Sequence, residues 1–486
     1  MTKVVDDRLL RHDLALTIFA PLGVVATLPT HPSTYLRRAS SLFVPCLLLG
    51  SQFSSAQDAL RTAINADRSE QARQLAATTP GNERIKAGPF EFNVGLSYGF
   101  EFTDNVRNVQ SPREEDYIQT LQIDFSGFLP VSDTGRMTLG FGVGYADYFQ
   151  HNELDRLYFA PNSELAYDFT VKDFRFTIYD SFAYSYDVQG VGALAGVAQF
   201  PHFENTAGLR AMWAPSKWSY QAGYSHYNFI SDNSGSDNNG SGENNFSRLD
   251  RSSEQVFGRV AYSIAPATRV GLEASSALTD YAAAAQPDNV SFSIGPFTEW
   301  QVTEAFTASL RGGFTHYSFD STAGAVPDST IVLIRPAAPA YELNSYYAGL
   351  NLNHRLTEFI SHGVSASHSI RPGINQGSDY TESTDAGYQV SWALTQNTTI
   401  GANFGYAHGT ETQTQIPDEG PDPIEIGDLR PTNEAYDTFR LGLSGSYRLS
   451  QQTTVTLAYN HNRRESINAA RSYFQNRVSL GLRYQF

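Results

Sequence analysis

The chain has 486 residues, of which 17% are charged and 13% are aromatic. It carries 50 acidic and 34 basic residues, a formal net charge of −16, which excludes the basic surface that nucleic-acid-binding proteins need. No run of 18 apolar residues follows residue 60, so the body of the chain cannot cross a membrane as helices.

Two apolar runs lie near the start of the chain, Leu14 to Leu28 and Leu42 to Leu49. The second run follows two arginines and precedes small residues that end at Ala56, which is the pattern of a secretory signal. We therefore expect residues 1–56 to be a cleaved signal peptide or leader. The one cysteine, Cys46, lies inside it, so the mature chain is expected to hold no disulfide and no thiolate metal site.

Residues 57–89 are predicted to form a short periplasmic N-terminal segment. Leu60, Ile64 and Leu75 lie among Ala, Arg and Gln, which favours a helix that ends before Pro80. The segment is too short for the plug domain of an energy-coupled transporter. A periplasmic tether is the first interpretation, and a small plug inside a barrel is the second.

From residue 90 to the end, apolar and polar residues alternate with a period of two. The first such segment places seven apolar residues on one face: Phe90, Phe92, Val94, Leu96, Tyr98, Phe100 and Phe102. Small or polar residues fall between them, and this alternation is typical of a β-strand with one apolar face. About 18 segments of this kind follow one another, with too little helix to cover their apolar faces.

The connections between these segments alternate in length, with eight short turns and nine long polar links. Transmembrane β-barrels have this plan, with short periplasmic turns, long external loops and an even number of strands. We therefore predict an all-β fold, a transmembrane antiparallel up-and-down β-barrel of about 18 strands over residues 90–486, with 16 strands as the alternative. A propeller would need a motif repeated about every 40 residues, and none is present.

The C-terminal alternation Leu480, Leu482, Tyr484 and Phe486 resembles the assembly signal of Gram-negative outer-membrane β-barrels. The stretch from Tyr98 to Val106, which ends in Thr-Asp-Asn-Val, resembles the opening of the "putative beta-barrel porin" families. The first resemblance implies an outer-membrane location and the outer-membrane assembly machinery as a partner. Some members of the second group accompany exopolysaccharide operons, which implies polysaccharide export as an alternative role.

The sequence offers no convincing catalytic site. Gly95, Ser97 and Gly99 match the letters of a hydrolase G-x-S-x-G elbow, but they lie in one continuous strand and not in a strand-turn-helix. The histidines at 354, 362 and 368 cluster in sequence, and the last two are expected near the lipid face or its rims. We predict that the protein is not an enzyme and uses no cofactor or metal.

Charged residues with inward parity are the better candidates for function, because an 18-stranded barrel can hold a water-filled channel. The predicted pore-lining residues are Glu91, Glu101, Asp124, Asp168, Arg175, Arg259, Glu273, Arg311, Arg440, Arg448 and Arg483. A second predicted group is an acidic loop cluster, Asp418, Glu419, Asp422, Glu425 and Asp428. Acid at a pore mouth concentrates cations.

These features predict an outer-membrane channel for passive diffusion of small hydrophilic solutes, with a preference for cations. The alternatives are a conduit for exopolysaccharide and a non-conducting surface barrel. The expected surroundings are outer-membrane lipid and lipopolysaccharide, and no nucleic acid is expected as a partner. The apolar stretch Ile331 to Ile334, in a long link, is expected to fold inward and narrow the pore or to extend the wall.

Overall fold

The structure is a computed structural model that describes residues 85–185, 201–232, 246–284, 286–322, 339–372, 379–412 and 434–486. The expected leader, the predicted helix before residue 80, the apolar stretch 331–334 and the acidic loop cluster at 418–428 lie outside these residues. In the described part of the chain, no helix is long and apolar enough to cross a membrane.

The described residues form 19 strands and three short 3-10 turns. The strands are β1 Ile85–Ala87, β2 Phe90–Thr103, β3 Asp116–Ser132, β4 Gly135–Tyr148, β5 Arg156–Val171, β6 Phe174–Ser185, β7 His202–Trp213, β8 Trp218–Ser231, β9 Arg251–Ala265, β10 Thr268–Tyr281, β11 Asn289–Gln301, β12 Phe306–Phe319, β13 Tyr341–Arg355, β14 Ile360–Pro372, β15 Tyr380–Ala393, β16 Thr398–Thr412, β17 Glu434–Arg448, β18 Thr453–Ser466 and β19 Tyr473–Gln485. The 3-10 turns are Asn152–Leu154, Phe246–Leu249 and Ala469–Arg471.

Strands β2 to β19 form a closed barrel in which each strand pairs antiparallel with the next. The last strand returns to the first, from Arg477 opposite Thr103 to Gln485 opposite Gly95. The prediction of an 18-stranded up-and-down barrel is therefore confirmed, and the alternative of 16 strands is wrong. The short strand β1 pairs with the start of β2 just beyond the end of β19, so the sheet begins a few residues before residue 90.

The alternation of the sequence gives the wall two different faces. In β11, Val290, Phe292 and Ile294 are 46%, 44% and 44% exposed on the outer face, whereas Ser291 and Ser293 between them are buried on the inner face. Large exposed apolar side chains of this kind recur on every strand from β2 to β19 and form the lipid-facing surface. Because every barrel strand has a neighbour on both sides, backbone groups inside the bilayer find partners within the wall.

The residues that resemble the porin families close the barrel between its first and last strands. The Asp104 carboxylate accepts hydrogen bonds from the backbone N–H (2.7 Å) and the side-chain amide (2.6 Å) of Asn476 on β19. Asn105, fully buried, donates from Nδ2 to the carbonyl of Phe474 (2.8 Å). Val106 packs in a buried cluster with residues of β3 and β4. The motif thus joins the two strands that chain order leaves furthest apart.

The ladder between β13 and β14 stops before either strand ends. Strands β13 and β14 pair from Arg355 opposite Ser361 up to Ala348 opposite His368, and the register stops there although both strands continue. Beyond that point, toward the long links, side chains bridge the two strands. Tyr346 stacks on His368 with ring centroids 4.2 Å apart. The hydroxyl of Ser345 donates to the Glu382 carboxylate at 3.3 Å, one strand further on. Side-chain packing replaces backbone hydrogen bonds here.

Candidate functional site: the inner wall of the barrel

The inner wall consists of the residues that alternate with the lipid-facing ones, and all eleven charged residues predicted from parity lie on it. Strand register shows this directly, since Glu91 and Asp124 lie opposite Phe128 and Gly95 of the same face, and Arg440 lies opposite Gly405. Glu101, Asp168, Arg175, Arg259, Glu273, Arg311, Arg448 and Arg483 follow the same alternation on their own strands.

Five charged residues come together in the half of the wall that ends in short turns, and we call them the β9–β12 charge cluster: Arg259, Arg269, Glu273, Glu299 and Arg311. Parity predicts three of them, Arg259, Glu273 and Arg311. Glu299 accepts from Arg259 and lies 2.5 Å from Arg269. Arg311 lies 3.8 Å from the buried carboxylate of Glu273. Arg269 and Glu299 lie on the neighbouring strands β10 and β11, whereas each of the other two pairs reaches across one intervening strand of the wall.

Two aromatic rings pack into this cluster over glycines. The guanidinium of Arg259 lies 3.7 Å from the ring centroid of Phe297, a cation–π contact. The hydroxyl of Tyr347 donates to Glu273 at 3.3 Å, and the Tyr347 ring covers Gly295 and Gly313. A Cβ at Gly313 would collide with the carbonyl oxygen of Ile294 and with the Tyr347 ring, so the ring can lie against the wall only because both positions lack side chains.

A second charged group spans β14 to β17. Asp385 lies 3.9 Å from Arg371 on one side and 3.9 Å from Arg440 on the other. The Arg440 side chain runs beside Gly405, which lies opposite it on β16 and leaves room for the guanidinium. Of these three residues, parity reasoning had singled out only Arg440.

The other predicted acids have near neighbours as partners. Glu101 lies 3.6 Å from Arg477 of the adjacent β19, and Glu91 lies 2.9 Å from Lys86 of β1. Asp124 accepts from the Gln122 amide at 2.5 Å, and Asp168 accepts from the Thr177 hydroxyl at 2.7 Å. These residues lie on β2, β3 and β5 with separate partners and do not form one site.

Several arginines lie where the barrel ends in short turns. Arg448 and Arg483 are exposed there and make no ion pair with a described residue. Arg175 lies two residues from the β5–β6 turn, and its guanidinium contacts the sulfur of Met212 at 3.2 Å. Arg269 and Arg355 occupy matching positions on β10 and β13. This mouth of the barrel therefore presents positive charge on its inner face.

A buried ionic network holds the opposite end of β16, β17 and β18. Glu434 and Arg464 are almost fully buried and lie 2.7 Å apart. Arg471, from the 3-10 turn after β18, also binds Glu434 and lies 3.6 Å from Glu411. The network ties together both ends of the link 413–433, which contains the predicted acidic cluster.

Sequence reasoning missed Glu299, Arg371, Asp385, Glu411, Glu434, Arg464 and Arg477. Each has the inward parity of its strand, so a complete reading of the alternation would have found them. The complete inner wall holds 15 described arginines: residues 136, 156, 175, 210, 251, 259, 269, 311, 355, 371, 440, 448, 464, 477 and 483. Its 12 carboxylates are at residues 91, 101, 116, 124, 164, 168, 204, 273, 299, 385, 411 and 434.

Outside the membrane-spanning strands, the link 104–115 carries its own ion pairs. Arg107 binds Glu114 at 2.8 Å and Glu153 at 2.6 Å. The hydrogen bond from Arg107 holds the pKa of the Glu114 carboxyl below its usual value. His151 lies between Glu114 and the buried carboxylate of Asp116, which also accepts from the His151 backbone N–H. In the part of the chain that the structure describes, no group of three or more His, Cys, Asp or Glu residues is arranged so that it could hold a metal ion.

Comparison with solved structures finds outer-membrane proteins at low similarity. OpdK of Pseudomonas aeruginosa is 12% identical, with a TM-score of 0.42 over 81% of this chain and 99% of that one. OccK2 (OpdF) of the same organism is 11% identical, with a TM-score of 0.43 over 81% and 98%. OmpT of Vibrio cholerae is 10% identical, with a TM-score of 0.37 over 83% and 100%. No curated protein matches the sequence significantly.

The family comparison covers the whole barrel. Residues 81–486 match the family described as "Putative beta-barrel porin 2". The match includes every described strand and the closure motif at Asp104 and Asn105, which is where the sequence resembled such families. The chain is therefore an outer-membrane β-barrel protein that belongs to the putative beta-barrel porin 2 family.

Proposed function

We propose that this protein is a porin-like channel in the outer membrane of a Gram-negative bacterium, through which small hydrophilic solutes diffuse passively. One observation carries the proposal: a closed 18-stranded barrel has an apolar outer face and an inner wall of arginines, carboxylates and small polar residues. A barrel of this size can enclose an aqueous channel. Membership of a porin family supports the same function.

The C-terminal residues fit this location. Leu480, Leu482 and Phe486 are 50%, 42% and 51% exposed on the outer face of β19. The Phe486 backbone N–H donates to Val94 at 2.9 Å, so the last residue takes part in closing the barrel. We propose that these residues, with Tyr484, are the signal that the outer-membrane assembly machinery reads before the barrel closes. Lipid and lipopolysaccharide then surround the apolar face.

The charge of the inner wall bears on ion selectivity. The expected cation preference depends on acids of the 418–428 loop cluster, whereas the described wall carries more arginines than carboxylates. Charges that line the path act on a permeating ion at short range, and salt screens them less than charges in distant loops. We therefore propose that the loops favour cations at low salt and that the wall reduces or reverses this preference at high salt.

Single-channel recording tests both parts. The protein, purified from outer membranes, is placed in a planar bilayer, and the reversal potential is measured under the same concentration ratio at about 0.05 M and about 1 M mean salt. Stable open steps are expected, with a cation-selective reversal potential that shrinks or changes sign at high salt. Equal selectivity at both concentrations would contradict the division between loops and wall.

Matched variants separate the two sources of charge. Neutralising Asp418, Glu419, Asp422, Glu425 and Asp428 to the corresponding amides is expected to abolish the low-salt cation preference and leave the high-salt value unchanged. Replacing Arg448 and Arg483 with Gln, at the exposed mouth, is expected to change the high-salt value and leave the low-salt cation preference unchanged. A correctly folded barrel without any conductance would refute the diffusion channel and leave polysaccharide export or a surface role.

A further inference from the structure

Five histidines occupy equivalent places on the outer face of the barrel, and we call them the histidine belt: His226, His316, His368, His408 and His461. Each lies near the end of its strand that leads into a long link, on β8, β12, β14, β16 and β18 respectively. Each lies directly opposite a polar residue of the following strand: Glu254, Asn344, Thr384, Asp437 and Asn476.

The imidazoles are all oriented in the same way. In every case Nδ1 lies within hydrogen-bond distance of an oxygen of the opposite residue, at 2.8, 2.8, 2.9, 3.0 and 2.8 Å in chain order. Nε2 of His368 contacts Glu382 at 3.0 Å. Nε2 of His316, His408 and His461 has no hydrogen-bond partner among the described residues, so three imidazoles keep one nitrogen available to an outside group.

A tyrosine precedes three of the belt histidines by two residues on the same face. The hydroxyl of Tyr406 donates to Asp437 at 2.6 Å, and that of Tyr459 donates to Asn476 at 2.9 Å. Tyr224 donates to Glu254 in the same way. Two residues along a strand correspond to about 6.6 Å. If the tyrosines mark the interfacial girdle of a membrane barrel, the histidines lie one step outward, at the level of lipid headgroups.

The opposite rim has a different composition. All four tryptophans of the chain, Trp213, Trp218, Trp300 and Trp392, lie next to short turns on the outer face. Among the described residues, the histidines at this rim are His354 and His362, whose rings lie 3.1 Å apart from Nδ1 to Nε2. Different side chains therefore lie at the two membrane interfaces, and the histidine belt lies at the rim of the long links.

From β12 to β19 the belt has few permanent cations. The charged residues near its four histidines are Glu342, Glu382, Asp437 and Glu465, together with Arg463, which pairs with Glu465. Asp104, beside Asn476, pairs with Arg113 at 3.6 Å. The remaining neighbours of the imidazoles are uncharged: Phe292 beside His316, Tyr346 beside His368, Thr384 between His368 and His408, and Leu441 beside His461.

Protonation of the four imidazoles therefore reverses the charge of this surface. The four carboxylates and Arg463 give a formal charge of −3 when the histidines are neutral and of +1 when all four are protonated. Histidine is the side-chain type that can change its charge between about pH 5 and 8. At higher pH the surface repels anions, and at lower pH it attracts them and offers N–H donors from Nε2.

We propose that the β12–β19 part of the histidine belt is a binding surface for the phosphate groups of anionic lipid headgroups in the surrounding leaflet, and that it binds them more tightly in acid. Position selects this ligand class, because the belt faces outward at headgroup depth. His226 is outside the proposal, since Glu254 and Asp280 keep its surroundings acidic.

The test measures the association of lipids with the full protein. Spin-labelled phosphatidylglycerol, whose charge is constant over the range, is compared with spin-labelled phosphatidylcholine in phosphatidylcholine vesicles at about pH 5.5 and about pH 8. The association constant of the anionic lipid relative to the neutral one is expected to rise about threefold in acid, as several exposed ion pairs allow. No rise in the wild-type protein would overturn the proposal.

Variants locate the effect. H316Q/H368Q/H408Q/H461Q is expected to abolish the rise in acid, whereas H354Q/H362Q, at the opposite rim, is expected to keep it. A rise that survives the fourfold change, or is lost in the control pair, would place the effect elsewhere and overturn the assignment. If the fourfold variant does not fold, E382Q/D437N provides a test of opposite sign, since it should raise phosphatidylglycerol association at about pH 8. No increase there would also refute the proposal.

Discussion

Replacing Asn105 with Ala should loosen the closure of the barrel. The fully buried side chain makes three hydrogen bonds: Nδ2 donates to Val109 at 2.7 Å and to Phe474 at 2.8 Å, and Oδ1 accepts from the Val109 N–H at 3.1 Å. Each such bond contributes about 1 kcal/mol net, and buried partners left unpaired add to the loss. We expect the free energy of unfolding to fall by about 3 kcal/mol.

Urea unfolding of the protein in lipid vesicles measures this change. The four tryptophans lie on the outer face at the rim of the short turns, so their fluorescence reports when that face leaves the bilayer. Asn351→Ala is the matched control, because Asn351 is on the inner wall and makes no side-chain hydrogen bond with a described residue. It should change the unfolding free energy by less than about 0.5 kcal/mol.

Asn105 and β19 should also act as one unit. Gln475 donates from Nε2 to the Asn105 carbonyl at 2.6 Å, a bond that Asn105→Ala leaves in place. Because this bond and the Asn105 side chain both hold residue 105 against β19, the double variant with Gln475→Ala should show a coupling energy of about 1 kcal/mol. If Asn105→Ala unfolds within about 0.5 kcal/mol of the wild-type protein, the closure motif does not stabilise the barrel in the way we describe.

Three further predictions follow from the wall and its links. Gly313→Ala should destabilise the barrel by about 1–3 kcal/mol in the same urea assay, because the new methyl group meets the Ile294 carbonyl, while Gly258→Ala, with open space at that position, should not. Glu434→Ala should cost about 3–5 kcal/mol because it removes the carboxylate that pairs with the buried Arg464, and a smaller loss than Glu465→Ala, at an exposed pair, would refute this. Because Arg107 lowers the pKa of Glu114, the stabilisation from their pair should be complete above the usual glutamate pKa and should be lost as the pH falls from there through the lowered pKa. Hydrogen exchange of the link 104–115 should then rise in acid in the wild-type protein and change less in Glu114→Gln.

Most of what the sequence predicted about the fold came from the local alternation of apolar and polar residues. A strand repeats every two residues, so the lipid-facing set Leu96, Tyr98 and Phe100 could be separated from Glu101 without knowledge of any neighbour. The lengths of the turns and links then indicated 18 strands and placed both chain ends at the same rim. The inward side of Arg259, Glu273 and Arg311 followed from parity in the same way.

Partners across the wall could be known only from the tertiary structure. Arg259 and Glu299 are 40 residues apart, and Asn105 and Phe474 are 369 apart, so their contact depends on strand register and on closure of the sheet. The same holds for the belt, whose members at 316, 368, 408 and 461 have irregular spacing because the links differ in length. Parity tells which way a side chain points, whereas register decides what it meets at the same height in the membrane.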